Sequence, residues 1–250
     1  MAYQVDSGRH LGISGIGEPA SSRVVVLCHS APGTGSVDPD PIASANSRLR
    51  IVGIDRPGYG ATDRYEGEPR LDDWVDDVGS YLARLDPTAE YASGVDVDVA
   101  GVVGIGYGAF YAAALAAATP QIPRLVVVEP AEPLRRSRPL DDPAFRDLEA
   151  TDPMTGEASR QEVALDQAGT PGEAADHLLL ADAGWGHRVR QARVATHLIA
   201  ARDDPGTAWW RHHLHRPRVH ELAEGGLPGL AEGWRIALEL LAPPAAAPRD

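Results

Sequence analysis

The sequence predicts an α/β protein: a mostly parallel central sheet with helices on both faces. Three observations predict it. Short runs rich in Val, Ile and Leu recur along the chain, helical stretches lie between them, and one run passes through spaced glycines straight into an alanine-rich stretch. The runs are RVVVLCH (Arg23 to His29), LRIVGID (Leu49 to Asp55), VDVAGVVGIG (Val97 to Gly106), PRLVVVEP (Pro123 to Pro130) and ATHLIAARDD (Ala195 to Asp204). Each is apolar on both faces of a strand, as a sheet covered on both sides requires. LDDWVDDVGSYLARL sets Leu71, Trp74, Val75, Val78 and Leu82 on one side at helical spacing. The stretch from Ala109 to Ala118 is small and apolar all round, which suits a helix pressed tightly onto the sheet. GLAEGWRIALELL places Leu230, Trp234, Ala237 and Leu241 on a common face. Strands alternating with helices imply a layered α/β fold with right-handed crossovers.

A chain of 250 residues can bury one substantial core. Residues 1–133 are expected to form its first part and 195–242 its second. The stretch 134–194 breaks the strand–helix rhythm with Pro139, Pro143, Pro153 and Pro171. A short helical lid over the carboxyl edge of the sheet is expected there. Residues 243–250, rich in proline, are expected to form a flexible tail.

Composition narrows the function classes. The formal charge of −13 disfavours nucleic acid and anionic membranes as partners. One cysteine, Cys28, excludes an intrachain disulfide. The N-terminus lacks a basic start leading into an apolar run, and no segment is long and apolar enough to span a bilayer, so a cytoplasmic protein is expected. No dinucleotide loop, phosphate loop or paired-cysteine motif is present, so no cofactor is expected. His212 and His215, three residues apart, would share a helical face, but without a third ligand they do not predict a metal site. The neighbouring Trp209–Trp210 surface is a candidate for joining two copies in a homodimer.

The segment Gly104-Ile105-Gly106-Tyr107-Gly108 keeps the spacing of a nucleophile elbow, in which a strained strand-to-helix turn presents a serine at the top of a sheet. Its central position is Gly106. Upstream stand Cys28-His29-Ser30-Ala31-Pro32-Gly33 and Asp55-Arg56-Pro57-Gly58-Tyr59-Gly60; downstream stand Ala183-Gly184-Trp185-Gly186 and Arg202-Asp203-Asp204-Pro205. Taken in order, these motifs resemble the α/β-hydrolase superfamily over nearly the whole chain. The first resembles its HGxPG loop with Ser30 in place of the usual glycine, and the second its DxPGxG loop.

The resemblance implies a nucleophile at Gly106, an acid at Asp204 and a histidine near Gly226 in Glu224-Gly225-Gly226-Leu227-Pro228-Gly229. Glycine supplies neither nucleophile nor base, so two of three triad members are missing. The resemblance also assigns the backbone N–H groups of Ala31 and Tyr107 to an oxyanion hole. Tyr107, Ser30, Asp204 and His29 are the candidate catalytic side chains. Gly106, Glu129, Trp185 and Gly226 are the candidate pocket lining. Glu129 ends its strand at the same edge as Asp204, a position where some family members carry the acid.

The function expected first is a non-hydrolytic enzyme guiding cyclisation, rearrangement or elimination of a small, partly apolar intermediate, since relatives resembling this pattern occur in bacterial secondary metabolism. Confining a reactive molecule can lower such barriers without a nucleophile. The alternatives are a pseudo-hydrolase that binds a small molecule or a partner without chemistry, and a noncanonical hydrolase.

Overall fold

The structure is a computed structural model, describing residues 1–30, 33–64, 70–85, 97–132, 172, 175–176, 179 and 184–242. The expected lid (134–194) and tail (243–250) lie largely outside these residues. Eight described strands form one sheet: β1 (Ala2–Gln4), β2 (His10–Gly17), β3 (Arg23–Cys28), β4 (Arg50–Ile54), β5 (Asp98–Ile105), β6 (Arg124–Val128), β7 (Ala195–Ala201) and β8 (Arg218–Leu222). Their order is β1-β2-β4-β3-β5-β6-β7-β8. From β4 to β8 all neighbours are parallel, while β2 runs antiparallel to β4 and β1 antiparallel to β2. The helices given whole by the described residues are α1 (Pro41–Asn46), α2 (Leu71–Leu85), α3 (Gly108–Ala118), α4 (Trp185–Gln191), α5 (Pro205–His213) and α6 (Gly226–Leu241).

Side-chain alternation along β3 shows how the sheet is covered. Val24, Val26 and Cys28 join the core beneath α2, α3, α4 and α5, and Val25 and Leu27 join the core beneath α1 and α6. All five are fully buried, the two-sided burial that apolar runs in a parallel sheet demand. α3 lies close against the sheet because its residues are small. A Cβ on Gly104 of β5 would lie 2.5 Å from Ala109 Cα, and one on Gly108 would lie 2.1 Å from Cys28 O.

The five apolar runs became β3 to β7, with one difference at the end of the last. β7 stops at Ala201; residues 202–204 form a turn, and Asp204 caps α5. α5 in turn ends at His213, and Leu214 is extended (ψ 148°), so His212 and His215 do not share a helical face. α6 begins at Gly226, three residues earlier than the periodicity suggested. Among the described residues no helix is long and apolar enough to cross a membrane.

Candidate functional site

β5 runs through Gly106 directly into α3. Gly106 has φ +53°, a left-handed conformation that glycine adopts at little cost. Its N–H donates to Val128 O at 3.2 Å, and its carbonyl accepts from the Ala109 N–H at 3.2 Å. The elbow backbone is therefore intact. Its outer side is occupied by Ser30, at the end of the neighbouring strand β3. A Cβ built on Gly106 would lie 2.3 Å from Ser30 Oγ and 3.1 Å from Ser30 Cβ. The Ser30 side chain thus fills the space into which a nucleophile would project from Gly106. No hydrogen bond to Ser30 Oγ is present among the described residues.

His29 lies just below, 2% exposed. Its Nδ1–H donates to Ser30 O at 2.6 Å, and its Nε2 accepts the Arg56 backbone N–H at 3.0 Å. These bonds assign the Nδ1-protonated tautomer and engage both ring nitrogens. Burial and then the Arg56 charge hold the imidazole pKa well below its usual value, so the ring is neutral near pH 7. It acts as a strut between two loops. Cys28, fully buried in the strand, has its thiol pKa pushed up to about 12 by burial, which removes the thiolate needed for nucleophilic attack.

Arg56, from the loop after β4, is fully buried and joins three parts of the molecule. One guanidinium nitrogen donates to Ser30 O at 3.1 Å, and another pairs with Asp176 at 2.5 Å. Asp176 also accepts from the Tyr59 and Tyr111 hydroxyls, each at 2.8 Å. Burial opposes the arginine's charge, but Asp176 and the two phenols outweigh it and raise the pKa further. Among the described residues Arg56 Nε has no partner. Gly172 sits against the same cluster, where an added Cβ would lie 2.3 Å from the Tyr59 ring. The sequence expectations contained neither Arg56 nor Asp176 as a site residue. A buried arginine within Asp55-Arg56-Pro57-Gly58 carries no local signal for a partner 120 residues away.

The two candidate acids have separate roles. Asp204 Oδ1 accepts from the Gly206 and Thr207 N–H groups at 2.6 and 3.4 Å, capping α5. Glu129 adopts φ +42°, unusual for a non-glycine residue, and reaches across two strand ends. Its Oε1 accepts from Ala201 N–H at 2.9 Å and its Oε2 from Gly226 N–H at 3.0 Å. Burial pushes its pKa up, the two amides pull it back, and the nearby Asp204 charge adds to the rise. The carboxylate therefore holds the loop in which a histidine was expected. Among the described residues a Cβ on Gly226 would meet nothing within 4 Å.

The remaining candidates are dispersed. Tyr107 is half-buried, packs against the core and precedes α3 without capping it through its side chain. Ala31 lies outside the described residues. Trp185, expected on the pocket wall, is 3% exposed; its ring packs 4.8 Å from that of Phe110 and its indole N–H donates to Leu179 O at 2.8 Å. A surface hollow of about 410 Å³ is lined by Arg202, Thr207, Ala208, Arg211 and His212, none of them a candidate residue. The structure thus brings Ser30, His29 and Gly106 together. It places Glu129 with Gly226, and takes Asp204 and Trp185 into helix capping and core packing.

Comparison with known proteins gives the frame for this geometry. No curated protein matches the chain. A hydrolase from Pseudomonas aeruginosa superposes with a TM-score of 0.70 at 18% identity, covering 96% of this chain and 97% of its own. The enol-lactonase of Burkholderia xenovorans gives 0.70 at 16% identity, covering 96% and 99%. An esterase from Exiguobacterium antarcticum gives 0.69 at 15% identity, covering 96% and 97%. At such identities these likenesses establish the fold. The model of the alpha/beta hydrolase family matches residues 25–233, a span that includes both Gly106 and Gly226, and the chain belongs to that family.

Proposed function

We propose that this protein is a pseudo-hydrolase, binding a small carbonyl-bearing molecule on a hydrolase scaffold without forming an acyl-enzyme. The observation that carries the reading is the Ser30 hydroxyl standing where a side chain on Gly106 would project. Acyl transfer needs a nucleophile, a base to activate it and an acid to orient the base. Gly106 supplies no nucleophile, His29 has both nitrogens engaged, and Asp204 caps a helix. Glu129 receives two backbone amides and faces a glycine. The esterase and lactonase relatives make esters and lactones the first ligand classes to try.

The test combines covalent and non-covalent readouts on the purified chain. A fluorophosphonate probe should leave the intact mass unchanged, and p-nitrophenyl esters should hydrolyse no faster than in buffer. A panel of esters and lactones should contain members that raise Tm and are recovered unchanged. A stoichiometric phosphonate adduct, or turnover of a panel member, would refute the reading.

A second reading, a non-hydrolytic enzyme acting on an intermediate of a biosynthetic sequence, is favoured by one observation: Ser30 Oγ has no partner among the described residues and sits beside the elbow. Conversion of a bound ligand to an isomer or elimination product, lost in Ser30→Ala, would select it over simple binding.

A further inference from the structure

The end of the sheet opposite the elbow carries a cluster that the candidate site does not use. Arg124 begins β6, His197 lies in the first half of β7, and Arg218 and His220 lie on β8. The register pairs Val126 with His197, His197 with Arg218, and Ile199 with His220. Because side chains alternate, Arg124, His197, Arg218 and His220 all project from the face covered by α6. His197 Nδ1 and His220 Nε2 are 3.0 Å apart and the rings stack with centroids 5.3 Å apart. One ring nitrogen donates to the other, so the pair shares a single proton between those atoms.

Positive charge here is not balanced from within. Among the described residues no carboxylate pairs with Arg124 or Arg218, although the chain as a whole carries a charge of −13. Glu221 alternates to the other face of β8 and pairs with Arg202. On α6, Arg235 pairs with Asp40, and Glu232 and Glu239 are exposed. Arg23, at the start of β3, is taken by Asp98 and Leu241 O. His197 is 6% exposed. Burial first, then His220, Arg218 and Arg124, holds the His197 pKa below its usual value. A doubly charged anion would reverse this balance, accepting from the guanidinium forks and stabilising an imidazolium.

We propose that Arg124, His197, Arg218 and His220 form a binding site for a tetrahedral oxyanion of the phosphate or sulfate class, with proton uptake by the histidine pair on binding. The site is independent of the elbow and of the reading given above. Recognition is by charge and by guanidinium geometry, and it tightens as pH falls because the bound state holds the extra proton.

Sulfate is the probe for the pH arm, because its charge is constant across the range. Calorimetric titration against sodium chloride at matched ionic strength should show saturable binding, about tenfold tighter at pH 5.5 than at pH 7.5. In ¹⁵N imidazole spectra, sulfate should raise the titration midpoint of His197. Arg124→Gln and Arg218→Gln should each weaken binding by about tenfold, the loss of one charged hydrogen-bonding group. At pH 8, comparing inorganic phosphate with phenyl phosphate separates a free anion from a phosphate monoester as the natural occupant. Binding no stronger than that of chloride, or a sulfate-independent midpoint for His197 in the unmutated chain, would overturn the proposal.

Discussion

Placing a serine at Gly106 tests the central geometry directly. The new Cβ would lie 2.3 Å from Ser30 Oγ and 3.1 Å from Ser30 Cβ, well inside van der Waals contact. Relieving such overpacking costs about 1–3 kcal/mol. The φ of +53° adds about 1–2 kcal/mol for any L side chain. Gly106→Ser is therefore expected to lose about 2–5 kcal/mol, or roughly 4–20 °C in Tm for a chain of this size. Ser30→Gly removes the opposing side chain and alone costs about 0.5–1 kcal/mol in chain entropy. In the double variant the steric part disappears and only the backbone strain remains. A double-mutant cycle by urea unfolding should give a favourable coupling of about 1–3 kcal/mol. If the two changes add within about 0.5 kcal/mol, Ser30 does not occupy the nucleophile's space and the argument for the pseudo-hydrolase loses its main support.

Three further outcomes follow from the same contacts. Asp176→Ala leaves the Arg56 charge buried without its partner and should cost about 3–5 kcal/mol in urea unfolding. An effect under about 1 kcal/mol would mean that the pair is not buried as described. Asp204→Ala should cost about 0.5–2 kcal/mol through the lost α5 cap and leave ligand-induced Tm shifts intact, whereas abolished binding would return Asp204 to the functional set. The raised pKa of Glu129 means that the folded state takes up its proton more readily than the unfolded chain does. Its contribution to stability is thus fully present below the ordinary carboxyl range and is lost as pH rises through the folded-state value. Stability of the natural chain relative to Glu129→Gln should fall over that interval and level off above it. A flat or rising difference would contradict the assigned environment.

The elements read most easily from sequence were those whose signal is local. β3 to β7 are runs of apolar residues, and α2 carries its apolar stripe at helical spacing. β8, RVHEL, is an edge strand with three polar residues among five, so it offers neither an apolar run nor a hydrophobic alternation. α1 is a single six-residue piece, too short to show a period, although Asp40 followed by Pro41 is a start signal. Asp204-Pro205 is the same signal, and it agrees with the capping role that Asp204 takes in the structure. The family motifs located Ser30 and Gly106 separately, but their interference is a property of two adjacent parallel strands. Neither motif contains it. The partnership of Arg56 with Asp176 is likewise invisible in one dimension, since a buried charge declares its partner only after the chain has folded.

The Asp176 anchor bears on how this protein can change over evolutionary time. Ala131 accepts the Trp210 indole N–H at one end of the intervening stretch, while Gly172 and Asp176 are fixed on Tyr59, Arg56 and Tyr111 at the other. Arg56, Tyr59, Tyr111 and Asp176 come from three separate parts of the chain and share one set of buried polar contacts. Replacing any one of the four takes a hydrogen-bond partner from a buried group of another, a loss of about 1–3 kcal/mol. These positions are therefore expected to change together, each substitution constraining what the others can become.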